Sequence, residues 1–412
     1  MTARASSSPR ATGCLRADSD WIEPDLDRAT KLVLALMALP GVSGQEMLVA
    51  DFIRDQLMGA GAGPDAIKSD QAHRRTRLAG QVGNLVFRLR GTKRSERRML
   101  LAHMDTVPVC VGAKPILENG RIRSGDSSTG IGADDRAGVA VVLNTALELL
   151  GQSMAHPPLT FLWSVQEEVG IQGMRHASLG LLGKPKLAFN FDGGSPAKLT
   201  VGATGGYRMK VLVEGLSSHA GGAPERGISA VAIAGLAIAD LQQRGWHGAI
   251  DKGRHRGTSN VGMIQGGTAT NVVADRVQLK VEARSQSNSF RRRIVREIEE
   301  AFKRAAKSVT SATGACGKVQ FDGQLDYESF RLPSRQPCLQ VAKSAVRSVG
   351  YDPVHFVSAG GLDANWLTAR GIPTVTLGCG QLFQHTSAEQ LDLSWFHQAC
   401  RIALRLATSQ PR

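Results

Sequence analysis

The sequence predicts an α/β protein, a mixed sheet flanked by helices whose chain is split by an inserted α+β domain. Three observations carry this expectation. Strand-length apolar runs alternate with stretches of helical periodicity up to about residue 191. After Gly205-Gly206 the texture changes to half-exposed alternation, beginning with Tyr207 to Glu214 (YRMKVLVE). The α/β texture then returns at Pro337. A chain of 412 residues with 42% hydrophobic content is more than one compact core usually holds, so two domains are expected.

Residues 1–25 read as a flexible tail. The first twenty are rich in Ser, Ala and Arg without apolar periodicity, a composition shared with transit peptides. Helical spacing predicts helices over 26–38 and 44–59, separated by a turn at Pro40-Gly41. Residues 84–89 and 98–102 read as strands, the second apolar enough to be buried on both faces. A long apolar-faced helix is expected over 135–150, and buried strands over 159–165 and 186–191. In the insert, strands are expected over 207–214, 258–265, 276–286 and 317–328, with helices over 226–243 and 287–309. That β-α-β-β-α-β order describes a small sheet with one helical face. A helix from 337 to about 349, an apolar run at 374–378 and a final helix over 392–408 complete the chain. The expected domains are thus 26–204 joined with 329–412, and an insert of 205–328.

Composition excludes several functions. Lys and Arg exceed Asp and Glu by 50 to 36, a net charge of +14, which raises nucleic-acid binding. The basic clusters at 73–77 and 93–98 read as loops or strand ends, and Arg291-Arg292-Arg293 opens a helix that also carries Glu297, Glu299 and Glu300. Aromatic residues are only 5%, leaving few platforms for bases. A solvated basic surface, with no nucleic-acid partner, is the expectation. No apolar run reaches the roughly 18–20 residues of a membrane span, and no apolar leader suggests secretion. The six cysteines include no CxxC pair, which fits reduced thiols in the cytoplasm better than a disulfide framework.

Five segments carry candidate chemistry. Ala102-His103-Met104-Asp105-Thr106 ends a buried strand; residues two apart on a strand share a face, so Asp105 could fix the tautomer of a ligating His103. Gly130-Ile131-Gly132-Ala133-Asp134-Asp135 opens a helix, either as a capping turn or as a carboxylate able to bridge two cations. Val165-Gln166-Glu167-Glu168 places two acids beside an apolar strand, costly unless solvated, paired or metal-bound. One could ligate while its neighbour serves as a base. Asn190-Phe191-Asp192 and Phe383-Gln384-His385-Thr386 follow two further strands. Each segment alone has an ordinary reading. Together they collect where open α/β sheets bind ligands, at strand carboxyl ends. Oxygen and nitrogen donors without thiolates suit zinc, with cobalt or manganese also accommodated.

In the order HxD, Asp-Asp turn, Glu-Glu, later Asp and final His, the chain resembles the M20 metallopeptidases over about residues 28–408. Gly360-Gly361-Leu362-Asp363-Ala364-Asn365, His385-Thr386 with Glu389, Thr258-Ser259-Asn260-Val261-Gly262 and Glu282-Ala283-Arg284-Ser285 are most similar to the tripeptidase (peptidase T) branch. The resemblance implies a zinc-peptidase-like catalytic domain, a lid and dimerisation insert, a homodimer and a short peptide substrate. It implies two Zn2+ per chain: His103 and Asp192 on one, Glu168 and His385 on the other, Asp134 on both. Asp105 would orient His103. Glu167 would take a proton from the water bridging the metals and pass it to the leaving amine. His219, in the insert, would donate to the oxyanion across a dimer interface, while Asn271 and Arg284 would hold the substrate backbone or carboxylate. Arg136 stands where such enzymes usually have Lys, and Leu362 where Ser or Thr is commoner. A cis Asp134–Asp135 bond is implied as well. An aminopeptidase or tripeptidase is expected first; a carboxypeptidase or N-acyl-amino-acid amidohydrolase would use the same site.

Overall fold

The computed structural model describes residues 21–408, and the expectations for residues 1–20 lie outside them. The chain forms two compact units. One comprises residues up to 201 with 332–356 and 370 onward; the other comprises 202–331 with 357–369.

The first unit is built on a mixed sheet. Strands Leu159–Ser164, Arg98–His103, Leu187–Phe191 and Thr374–Leu377 lie side by side in that order, all parallel. Leu85–Leu89 pairs antiparallel outside Leu159–Ser164, and Ile67–Ser69 forms the edge beyond it. The first three parallel strands are buried along their whole length. Their runs do not alternate because both sheet faces are covered. Burying each Leu or Phe contributes about 1.5–3 kcal/mol, so Phe161, Trp163, Phe189 and Phe191, all fully buried, anchor this layer.

Helix Ala133–Gly151 packs on the sheet and is buried almost all round. Its close approach needs Gly138, where a Cβ would stand 2.1 Å from the Phe191 carbonyl oxygen. Helix Leu26–Ala38 begins at Asp25, whose carboxylate accepts from Arg28 N at 2.8 Å. It buries Leu32, Val33 and Leu36. Residues 21–25 also make contacts: Glu23 pairs with Arg401 at 2.6 Å, and Asp25 N donates to Glu148. A small antiparallel sheet, not expected from the sequence, joins Pro115–Glu118, Arg121–Ser124, Gln390–Asp392 and Gln381–Leu382.

The second unit is a five-stranded antiparallel sheet, ordered Gly248–Lys252, His255–Gly266, Arg276–Ser285, Gly205–Glu214 and Lys318–Tyr327. Burial alternates along Arg276–Ser285, as a half-covered sheet requires. Helices Ala230–Gln243 and Asn288–Ser308 pack Ile233, Ile294, Ile298 and Phe302 with Val211, Val213 and Leu279. Ser229 and Ser287 cap these helices. The predicted α+β order is present with one added strand, Gly248–Lys252, too short and exposed to stand out in sequence.

Candidate metal centre

Because the four parallel strands share one direction, their carboxyl ends meet at a single sheet edge. Apolar residues end there and polar ones begin. His103 is the last residue of its strand. Glu167 and Glu168 follow Leu159–Ser164 through Gln166, which takes a left-handed φ of 55°. Asp192 follows Leu187–Phe191. His385 lies in the connection between Gln381–Leu382 and Gln390–Asp392, with φ 64°. Asp134 sits at the kinked opening of Ala133–Gly151, and the Asp134–Asp135 peptide bond is cis.

The five residues named as candidate ligands converge. His103 Nε2 stands 3.1 Å from Asp134 Oδ1, and His385 Nε2 stands 3.3 Å from Asp134 Oδ2. His385 Nε2 also lies 3.0 Å from Glu168 Oε2. Donor atoms of His103, Asp134 and Glu168 fall within 4.8 Å of one another, as do those of Asp134, Asp135 and Asp192. Asp134 belongs to both groups. Asp105 is fully buried behind them, its Oδ1 3.4 Å from His103 Nδ1. Its carboxylate also accepts from Glu167 N at 2.9 Å, Glu168 N at 3.1 Å and Ser43 Oγ at 2.6 Å. The Asp105 backbone carbonyl lies nearer still to His103 Nδ1, at 3.1 Å, so one buried residue faces the imidazole and holds the Glu-Glu backbone.

Charge is tightly coupled here. Burial opposes a proton on His103, but contacts with Asp105 and Asp134 outweigh it and raise its pKa well above the usual imidazole value. Contacts with Asp134 and Glu168 lift His385 to about 10. Burial would neutralise Asp134, yet the two imidazoles hold it well below the usual carboxylate range. Burial raises Glu168. The imidazoles and carboxylates thus engage one another directly, and a cation would compete for the same lone pairs. The donor set is oxygen and nitrogen alone. Cys110 and Cys379 lie close by, but burial pushes both thiols up and keeps them protonated. Such a cluster of carboxylates and imidazoles fits a pair of divalent metal ions.

Five supporting residues escaped sequence reasoning as site residues. Glu389 Oε2 accepts from Ile131 N at 3.1 Å and Gly132 N at 2.7 Å, and its Oε1 accepts from Asp134 N at 3.0 Å. It clamps the turn that presents Asp134. Asp135, fully buried, accepts from His103 N, Gly138 N and Gln381 Nε2, and so braces the His103 strand against the opening of the helix. Gln381 also accepts from Gly193 N through Oε1. Glu46, fully buried, accepts through Oε1 from Gly44 N at 2.8 Å and Gln166 N at 3.0 Å, while its Oε2 has no partner. Burial and then the nearby Asp105 charge raise its pKa to about 7. Arg136 is buried and donates to the Met104 and Gly41 carbonyls, tying the first loop to the His103 strand.

The remaining predicted site residues lie in the second unit. His219 is exposed; its Nδ1 accepts from Gly221 N at 3.2 Å and Gly222 N at 2.9 Å. Asn271 is exposed, and its carbonyl accepts from Ala220 N at 2.9 Å. The Arg284 guanidinium pairs with Glu282 at 3.1 Å, the strand-end ion pair that competes with a substrate role.

A profile for the M20 peptidase dimerisation domain matches residues 201–310, and one for peptidase family M28 matches residues 84–254. An uncharacterised protein of Bacillus subtilis is 32% identical over 313 residues, covering 76% of this chain and 80% of its own. The crystal structure of a tripeptidase from Staphylococcus aureus is similar with TM-score 0.84 and 27% identity, covering 93% of this chain and 98% of its own. The aminopeptidase PepT of Bacillus cereus is similar with TM-score 0.81 and 29% identity over the same shares. With these relatives, this fold and this cluster at its sheet edge, the chain belongs to the M20 family of metallopeptidases.

Proposed function

We propose that this metallopeptidase is a two-zinc aminopeptidase that acts on short peptides, tripeptides foremost. The observation that carries the reading is Asp134, whose two carboxylate oxygens each face a different imidazole. His103 and Asp192 would hold one ion, Glu168 and His385 the other, and Asp134 both. Zinc at those positions would polarise the scissile carbonyl and acidify a water. Asp105 engages His103 Nδ1 and leaves Nε2 directed at Asp134. Glu167, its backbone fixed by Asp105, would accept a proton from the attacking water and hand it to the leaving amine. His219 Nδ1 accepts two backbone N–H groups, so the neutral ring carries its proton on Nε2. That tautomer can donate to a developing oxyanion, here of a partner subunit. Asn271 and Arg284 would hold the peptide backbone or carboxylate.

The tripeptide preference is supported by the likeness to the Staphylococcus tripeptidase and to PepT. A homodimer through residues 205–328 is supported by the dimerisation-domain match. It is also supported by residues 260–266, which pair on one side only and expose Met263 and Ile264. Cytoplasmic residence is supported by five described cysteines that are all free thiols. No described helix is long and apolar enough to cross a membrane.

The test measures metal content and hydrolysis of one tripeptide as free, N-acetylated and C-amidated forms. The expected result is about two zinc ions per chain, cleavage of the free and amidated forms, and loss of the acetylated one. Cleavage of only the acetylated form would replace the aminopeptidase with an N-acyl-amino-acid amidohydrolase. Loss of only the amidated form would favour a carboxypeptidase.

A further inference from the structure

At the opposite end of the sheet, the strands enclose a second feature. A cavity of about 350 Å³ is lined by Lys68, Arg88, Arg90 and Arg97, with Asp65 the one acid among its lining residues. Its place follows from register. Leu89, Leu159 and Arg98 form one row across the sheet, while His103 pairs with Ser164 at the other end. Five residues of strand separate these rows, about 16 Å; Lys68 and Val86 lie on the nearer row of Leu162 and Leu101, but on the two strands outside Leu159–Ser164, and none of the candidate metal ligands lines the cavity.

Lys68, Arg88 and Arg90 are exposed and Arg97 is half-buried, and all four line the one cavity. Arg97 is pinned by donating to the Leu159 carbonyl and the Thr160 hydroxyl. Thr160 is the cross-strand partner of Arg88. Gly183, at φ 72°, leaves room for both guanidinium groups: a Cβ there would lie 2.9 Å from Arg97 Nε and 3.2 Å from Arg88 Nε. Burial, then the Arg88 charge, lowers the Arg97 pKa. Among the described residues, the side chains of Lys68, Arg88, Arg90 and Asp65 form no hydrogen bond or ion pair. Like charges gathered without a neutralising partner make a local positive field that attracts an anion. Guanidinium forks match phosphate oxygens two at a time. The cavity is larger than a single phosphate needs and falls in the size range of small-molecule sites.

We propose that this cavity binds a small polyanion carrying a chain of phosphates, at a site separate from catalysis. Calorimetric titration of the metal-loaded enzyme with inorganic tripolyphosphate tests it. Three proteins are compared: wild type, Arg88→Gln/Arg90→Gln, and a control, Arg292→Gln/Arg296→Gln, on the exposed face of helix Asn288–Ser308. Tripolyphosphate drawn to the metal centre would bind all three alike and cancels in the difference. The expected result, beyond any binding common to all three proteins, is one saturable event per chain in wild type and control, weakened about tenfold or more in the first pair, with peptide hydrolysis in the absence of anion unchanged. Absence of that event, equal weakening by both pairs, or citrate binding as tightly as tripolyphosphate would each overturn the proposal.

Discussion

Replacing Glu46 with Gln should change how stability depends on pH. Glu46 is fully buried, its Oε1 is satisfied by two backbone N–H groups, and its Oε2 has no partner. Its carboxyl is raised from 4.5 to about 7 while the neighbouring Asp105 keeps its charge. The sign follows from proton counting. Between pH 4.5 and 7 the folded chain holds a proton that the unfolded chain has lost, so stability falls as pH rises through this window. At about 1.4 kcal/mol per pH unit, the group removes about 3 kcal/mol of stability by pH 7 and above. Glu46→Gln keeps the Oε1 acceptor and abolishes the titration. Thermal midpoints of metal-free wild type and variant should therefore diverge from pH 5 to pH 8 in the variant's favour. At about 2–4 °C per kcal/mol for a unit of this size, the divergence approaches roughly 6–12 °C. Parallel midpoints across that range would show that Glu46 is ionised throughout and refute the reasoning.

Glu167→Gln should lower kcat by about 10²–10⁴-fold while metal content by elemental analysis stays at the wild-type value; lost metal would instead make Glu167 a ligand. Zinc loading should release protons, because His385 is raised to about 10 and His103 also lies above its usual value. Apparent affinity should therefore fall as pH is lowered. Titration in two buffers of different ionisation enthalpy measures the release, and none at pH 7 would contradict protonated imidazoles. Mixing His219→Ala with Glu167→Ala subunits should recover part of the activity if His219 acts across the dimer; verified heterodimers with no recovery would place it within one subunit or outside the reaction.

The convergence of carboxylates and imidazoles was readable because charge follows apolarity so abruptly. Leu100-Leu101-Ala102 before His103, and Phe161-Leu162-Trp163 before Glu167, leave few ordinary reasons for ionisable groups at the strand ends. Full burial of both strands gives that contrast its structural cause. The supporting residues carried no such signal. Glu46 follows a Gly/Ser turn and opens helix Met47–Gly59, where an acid reads as a cap. Its decisive partner, Gln166 N, lies 120 residues away. Strand Gly248–Lys252 and the small sheet around Arg121–Ser124 were missed because each is short and mostly half-buried or exposed. Such segments form because neighbours complete their ladders, which local pattern does not record.

The hairpin between Gln381 and Asp392 carries both His385 and, four residues later, Glu389, whose carboxylate holds the turn presenting Asp134. A proposed ligand of one ion and the brace of the shared acid therefore travel on one short piece of backbone. If the hairpin lifts, Asp134 loses its support as His385 leaves. Demetallation should then be all-or-none: a chelator titrated slowly into the enzyme would leave fully loaded and empty molecules, with few carrying a single ion.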